Sequence, residues 1–472
     1  MRPPGVRSRS AALVALFIAA ALGCSEAIVD PSMCAEPIVS RADAVADASN
    51  VLRAFASAKL TGADSAAVRY GVDAARDSFT PASAIAGDSV VVPLLGLEPA
   101  RTYGAQLVAY GACASTTRVE LPTFTTSSLP ADLPTYIAEG GAPSPGYVVM
   151  AAGKYGFVID NSGRIVWYHR FPDGPGLNFQ AQPSGRYVAR PPSPAGVAGT
   201  FVEIDPSGRV TRTLGCARDL PARMHDMIAL ADGSYWLLCD ETRILDLSAQ
   251  GKPSDARVLG TALQHRAANG DLLFEWSPFD HLDVELAVLD PADLAASPIN
   301  WTHGNSIDLD AEGNLLVSYR NLSEVVKIDV RTGALLWRFG GAHDQFALRI
   351  GDSPPFRHQH AVRARGVGWL QLLDNLGNAN GSRAELYQLD ESLKVVWLRD
   401  ALRSAAGLVA QIGGTVQSIP PDHTLVSYGN GAGVEEYDGN GSLAWRLSGS
   451  TGYVFRAQRI QSLYSPGVGD PR

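Results

Sequence analysis

Charge is scarce in this sequence. Only 18% of its 472 residues are Asp, Glu, Lys or Arg, and the balance is acidic, with 39 basic against 48 acidic side chains. No basic excess is available to grip a phosphate backbone, which argues against a nucleic-acid binder. Long apolar runs are missing apart from residues 11–22, and that excludes a multi-span membrane protein. Sulfur is sparse, with five Cys and five Met. No C-x-x-C pair and no His/Cys zinc spacing occurs. Gly (47) and Pro (30) are frequent, yet below the share of a disordered chain. Many tight turns, and hence many short strands, are the consequence. The length allows two or three domains, or one large closed β-unit.

The N-terminus reads as a targeting segment. Arg2, Arg7 and Arg9 precede the apolar run AALVALFIAAAL, which is too short to span a bilayer comfortably. It ends in Ala21-Leu22-Gly23-Cys24, which resembles a bacterial lipobox. Residues 1–23 are therefore expected to be a signal peptide of lipoprotein type, with Cys24 lipidated and 24–36 a tether. An ordinary signal peptide would make Cys24 incidental. Either reading implies export, to the periplasm or to a lipid anchor in the outer membrane. Four further cysteines in an exported chain favour two disulfides. Of three possible pairings, Cys34–Cys113 and Cys216–Cys239 are preferred, because each closes within one proposed domain.

Residues 37–128 read as a small β-sandwich, with strand-like runs at Ala67–Val72, Ser89–Leu95, Tyr103–Tyr110 and Arg118–Thr126. The stretch Ala42–Ala58 is open to a helical reading. The segment Leu97-Glu98-Pro99-Ala100-Arg101-Thr102-Tyr103 resembles the tyrosine-corner turn of fibronectin type III domains. Residues 129–145, rich in Pro and Gly, mark a linker.

Beyond it the chain repeats. A hairpin with a polar turn recurs at Phe157–His169, Phe201–Leu214, His265–Trp276, Val325–Phe339, Glu385–Leu398 and Glu435–Leu447. Five of the six copies carry a Trp near the end: Trp167, Trp276, Trp337, Trp397 and Trp445. A second hairpin alternates with it, at His225–Leu238, His303–Arg320, His360–Leu373 and Gly414–Tyr428. Two hairpins every ~45–60 residues make four strands per period, the pattern of a propeller blade. Six periods predict a six-bladed β-propeller over 146–466. The lone strand within Phe455–Leu463 would complete the blade begun by Tyr147–Ala151. The expected fold is thus all-β, a fibronectin-III-like sandwich followed by the propeller.

First strands of blades line the central channel. His225, His303 with Asn305, and His360 all fall at or beside such starts, and Arg320 ends the next strand of the His303 blade. His358 precedes His360 by two residues, a spacing that on a strand puts both on one face, and it is a further candidate substrate contact. His169, His265, His281, His343 and His423 do not share the position. Arg and Asn offer fixed donors for an oxyanion. Neutral imidazoles serve as nucleophile or proton carrier. The set suits sulfuryl or phosphoryl transfer, and three imidazoles equally suit a metal ion.

The motifs are more specific. Trp301-Thr302-His303-Gly304-Asn305-Ser306-Ile307 with Leu316-Val317-Ser318-Tyr319-Arg320 resembles the bacterial arylsulfotransferase family. So do Leu336-Trp337-Arg338-Phe339-Gly340-Gly341 and Phe356 with Gln359-His360. The resemblance implies sulfuryl transfer from a phenolic sulfate ester to an acceptor phenol, through a sulfated histidine and without a nucleotide donor. It makes His360 the nucleophile. His303, Asn305 and Arg320 would bind the sulfuryl oxygens, and His225 or His303 would handle the phenolic proton. No cofactor or metal is implied, and the partners are small molecules. Asn300 departs from the pattern, since an Asp commonly precedes the Trp of the His303 motif. Two other classes compete: a non-catalytic propeller that binds an envelope polymer or protein, and a metal-dependent hydrolase or lactonase.

Overall fold

The computed structural model describes residues 35–73, 75–194, 197–351, 354–377, 381–449 and 452–467. Cys24, Cys34 and the signal segment lie outside these residues. The described chain is nearly all β, with a single five-residue α-helix at Pro291–Ala295.

The N-terminal unit is two sheets face to face. One joins Ile38–Ala46, Arg53–Thr61 and Ser89–Leu95; the other is built on Ser65–Val72, Thr102–Tyr110 and Thr116–Thr125. The Ala-rich stretch is strand, not helix. Ala54, Ala56, Ala58 and Leu60 alternate inward along Arg53–Thr61, a period of two that buries them against Val68, Val92 and Leu107. Pairing on both edges of that strand overrides the helical preference of alanine. Tyr103 Oη accepts a hydrogen bond from Glu98 N at 2.7 Å.

Six further antiparallel sheets follow, each with a run of four strands. The first places Gln458–Ile460 innermost, beside Tyr147–Ala152, Tyr155–Ile159 and Ile165–Arg170, so the two ends of this region share a sheet. The second runs Phe179–Ala181, Tyr187–Ala189, Phe201–Ile204, Val210–Leu214. The third runs Ala222–Ala229, Tyr235–Leu245, Ala256–Arg266, Leu272–Trp276. The fourth runs Gly304–Leu309, Leu315–Tyr319, Glu324–Ile328, Leu335–Phe339. The fifth runs His360–Ala364, Trp369–Asp374, Arg383–Asp390, Val395–Arg403, and the sixth Thr415–Ile419, His423–Ser427, Val434–Tyr437, Leu443–Gly449. Residues 129–145 are not a free tether along their whole length, because Tyr136–Glu139 pairs with Leu443–Gly449 as a fifth strand.

Side chains stitch the innermost strands together. Gln458 Oε1 accepts from Ala181 N at 2.9 Å, Gln182 Oε1 from Ala229 N at 2.8 Å, and Asp308 Oδ2 from Ala364 N at 2.9 Å. Gln417 Oε1 accepts from Arg459 N at 2.6 Å and joins the sixth sheet back to the first. These polar side chains sit where apolar ones would leave inward-facing amides unpaired. Hairpins in several sheets turn on Asp. Asp160 Oδ1 accepts from Ser162 N and Arg164 N, and Asp310 and Asp438 repeat the pattern. A glycine with positive φ completes each turn, at Gly163, Gly313 and Gly441.

The recurrent Trp locks neighbouring sheets. Trp167 Nε1 donates to Pro206 O at 2.9 Å, Trp276 Nε1 to Gly333 O at 3.1 Å, and Trp445 Nε1 to Asn161 O at 2.9 Å. Each bond runs from the fourth strand of one sheet to the outer hairpin turn of another. The rings are buried. Burying a large apolar side chain is worth about 1.5–3 kcal/mol, so these contacts carry much of the intersheet cohesion.

Candidate active site

Three of the innermost strands break register where the histidines stand. The pairing of Ala222–Ala229 slips between Ala222 and Met227, that of Gly304–Leu309 between Gly304 and Ser306, and that of His360–Ala364 between His360 and Arg363. A bulge bends a strand and re-aims the side chains beside it. His303 (φ 49°) and His358 (φ 56°) adopt left-handed backbone, which costs a non-glycine residue of order 1–3 kcal/mol.

The consequence is a histidine cluster. The His225 and His303 rings lie 5.0 Å apart, edge to face. Phe455 bridges the rest, 5.7 Å from the His225 ring and 6.3 Å from that of His360. The Arg320 guanidinium is close enough to the cluster to depress the pKa of all three rings, and the Arg320 backbone N–H donates to His303 O at 3.1 Å.

Hydrogen bonds fix which nitrogen of each ring carries a proton. His360 Nδ1 faces two acceptors, Asn375 Oδ1 at 2.8 Å and His358 O at 3.1 Å. The Asn375 amide cannot turn over, because its Nδ2 donates to Ala410 O and Gly413 O. His360 Nδ1 is thus the protonated nitrogen, and Nε2 keeps its lone pair. His303 is the reverse. Asn300 Nδ2 donates to its Nδ1 at 2.8 Å and also to Asp293 Oδ1 at 2.7 Å, which fixes that amide too. Neutral His303 therefore carries its proton on Nε2. Nδ1 of His225 is buried without a partner.

All these rings are held neutral. Burial pushes His360 down to about 4, opposed by its bond to Asn375, and Arg320 adds to the depression. His358 also falls to about 4, again mainly by burial. Burial places His225 and His303 well below the usual histidine range, with Arg223 as the strongest neighbouring charge on each. Arg223 is paired with Asp240 at 2.5 Å and Arg456 with Asp226 at 3.0 Å, so Arg320, 3.8 Å from Asp293, is the least neutralised guanidinium beside the unprotonated rings.

The remaining sequence candidates are placed differently. Asn305 is buried and its Nδ2 donates to Gln359 O at 2.7 Å, so half of its donor capacity ties the fourth sheet to the fifth. His358 lies before the strand that begins at His360, and its Nε2 stands 3.4 Å from Asp290. Arg320 approaches Asp293 at 3.8 Å and donates to Asn321 Oδ1. Cys216 and Cys239 form a disulfide, and Cys239 stands opposite Ala222 in the ladder that leads to His225. Cys113 is disulfide-bonded, while its expected partner Cys34 lies outside the described residues. Among the described residues, no three His, Cys, Asp or Glu side chains are grouped to hold a metal ion.

Sequence reasoning missed Arg223, Asn375, Phe455 and Arg456. Arg223 lies two residues before His225 on the same strand, and that alternation is the signal that could have found it. Asn375 carried no such signal, because only the tertiary fold brings it to His360. The five other histidines are occupied elsewhere. His169 meets Phe171 edge to face, His265 stacks on Trp236 and His281 on Trp276; His423 pairs with Glu436 and His343 with Glu285.

A family model described as Arylsulfotransferase (ASST) matches residues 199–450. No curated protein matches the chain. Among solved structures, a protein of unknown function from Bacteroides caccae aligns at 13% identity and TM-score 0.42, covering 68% of this chain and 100% of that one. A catalytically inactive virginiamycin B lyase from Staphylococcus aureus, with quinupristin, aligns at 10% identity and TM-score 0.35, covering 66% and 99%.

Proposed function

The chain belongs to the arylsulfotransferase family, and from that premise we propose that it moves a sulfuryl group from a phenolic sulfate ester to an acceptor phenol through His360. The six sheets are then the blades of a six-bladed β-propeller over 146–466, preceded by a fibronectin-III-like sandwich at 37–128. The stitching of the sixth inner strand to the first supports that closure. The Tyr103–Glu98 contact supports the sandwich assignment. Residues 11–22 and Cys24 support export as a lipoprotein, which mass spectrometry of the mature N-terminus tests.

The observation that carries the reading is the His360 tautomer. Nε2 is unprotonated, and Nδ1–H is held by two oxygen acceptors. In the first step Nε2 attacks sulfur, the sulfur–oxygen bond to the donor ring breaks, and the phenolate leaves with the electron pair. The resulting sulfohistidine bears positive charge on its ring, and Asn375 Oδ1 and His358 O stabilise it through Nδ1–H. Arg320 and the Nε2–H of His303 bind sulfuryl oxygens as charge develops on them. In the second step an acceptor phenol attacks sulfur, its proton passes to neutral His225, and the nitrogen–sulfur bond breaks. The departing phenolate takes its proton from solvent, and His225 returns its proton there, so the cycle balances. No nucleotide donor enters.

The test is purified protein with 4-nitrophenyl sulfate, with and without phenol, in chelator. Nitrophenol release that depends on phenol, with phenyl sulfate formed, is the expected result. A His360→Asn variant that folds and yet retains turnover overturns the assignment. So does turnover lost to chelator, which favours a metal hydrolase.

A further inference from the structure

One intersheet junction departs from the tryptophan pattern. Trp337, on the outermost strand of the fourth sheet, holds the ladder position that Trp167 and Trp445 hold in theirs. Its side chain is buried, only 3% of the residue being exposed, and its Nε1 has no partner. The equivalent outer turn is that after Asp390, in the fifth sheet. Between the two lies a cleft of about 460 Å³. That volume falls within the range of small-molecule sites. The cleft opens at the far end of the Gly304–Leu309 strand from His303, about 20 Å along it at 3.3 Å per residue.

Its walls have a definite chemistry. Trp337, Trp369 and Trp397 all contribute, the last two with partly exposed rings. Asp310, Glu312, Asp390 and Glu391 supply four carboxylates against one cation, Lys327. Asp310 and Glu391 already hold that cation, at 2.8 and 2.9 Å. Acceptors outnumber donors and the charge is negative, so an aryl sulfate or any other anion is repelled. A simple organic cation would suit the charge but has no hydroxyls to donate to the several acceptors of the wall. A ligand with several hydroxyl donors and an apolar C–H face meets every wall. We propose that this cleft binds an uncharged or amino-substituted sugar ring, stacked on Trp369 and Trp397, with its hydroxyls donating to the carboxylates of the wall. The site is separate from the histidine cluster and stands whether or not sulfuryl transfer does.

The full-length protein is titrated with cellobiose, maltose, N,N′-diacetylchitobiose and the disaccharide of glucosamine, by calorimetry and intrinsic tryptophan fluorescence. At least one sugar is expected to bind and to shift the emission. Trp369→Ala should weaken it about tenfold or more, through the loss of one stacking face. Trp397→Ala removes the second stacking face and should weaken it by a similar factor. His360→Asn should bind the sugar as the parent does. Absence of binding by all four sugars up to about 10 mM, a concentration that detects even a ~4 kcal/mol interaction, overturns the proposal. Binding that both Trp variants leave intact, or that His360→Asn abolishes, overturns it as well.

Discussion

The side-chain amide of Asn300 donates to Nδ1 of His303 across 2.8 Å, and Asp293 holds that amide in place. Neutral His303 is thereby left with its only proton on Nε2. An Asp at this position would instead accept from Nδ1–H and favour the doubly protonated ring. Asn300→Asp is therefore expected to convert His303 Nδ1 from acceptor to donor and to raise the pKa of the ring. Nitrogen NMR of ¹⁵N-histidine-labelled protein reads this directly, with His303→Asn as the assignment control. An unchanged Nδ1 signal in the Asp variant would show that the amide does not set the tautomer.

His360 and Asn375 stand in the opposite relation, with the amide oxygen as acceptor. Because His360 is held down to about 4, its Nε2 stays unprotonated through mild acid. The burst of nitrophenol from the first half-reaction should lose amplitude only as pH approaches 4, not near the 6.5 of an ordinary histidine. Asn375→Leu removes the restraint on the tautomer and should slow the burst by about 10- to 100-fold, the usual scale for a positioning partner. Asn375→Asp should recover part of the rate and move the acid limb upward, since a carboxylate stabilises the charged ring. A purely structural Asn375 would lower stability without moving that limb.

The same neutral rings make the fold sensitive to acid. The unfolded chain takes up histidine protons near 6.5, whereas His358 and His360 resist them until about 4. Between those values the unfolded state binds more protons, so stability is full above 6.5 and falls as pH drops toward 4. Each such histidine contributes a slope of up to about 1.4 kcal/mol per pH unit within that window. Melting temperatures from pH 8 to 4 should show the decline, and His360→Asn should flatten it by one proton. Parallel curves for parent and variant would mean that His360 titrates normally.

Much of this architecture is written in repetition. The six hairpins read from Phe157 to Leu447 coincide with paired outer strands, because Asp at the turn, Gly after it and Trp near the end each have a local cause. The lone strand near Gln458 was legible for the same reason, as a first strand without its hairpin. Ala42–Ala58 was ambiguous, since alanine favours helix locally and only pairing across the sheet decides otherwise. His225, His303 and His360 were legible from their shared place beside strand starts. Their protonation was not, because it depends on Asn375 and Asn300, whose amide orientations are fixed by residues that the fold supplies. Nor did the spacing of His358 and His360 put both on one strand face, since the left-handed residue at 358 precedes the strand.

Beneath the histidines the inner strands are held together by charge. Asp226 stands 3.0 Å from Arg456 and 3.0 Å from Arg363, and all but Arg363 of these is buried. Arg456 Nη2 also donates to His225 O at 3.2 Å, so the pair sets the height of that histidine. Burial lowers the Arg456 guanidinium to about 10, against the pull of Asp226. Removing the carboxylate leaves a buried cation without its counter-charge. Asp226→Asn should then cost about 3–5 kcal/mol, read as a fall in the urea midpoint at unchanged slope. The double variant Asp226→Asn with Arg456→Gln should recover part of that loss, because it removes the stranded charge too. If the double variant is no more stable than the single one, the cost lies in shape and hydrogen bonding rather than in the unpaired cation. In either case the displaced His225 should slow the second half-reaction, in which it takes the proton of the acceptor, more than the first.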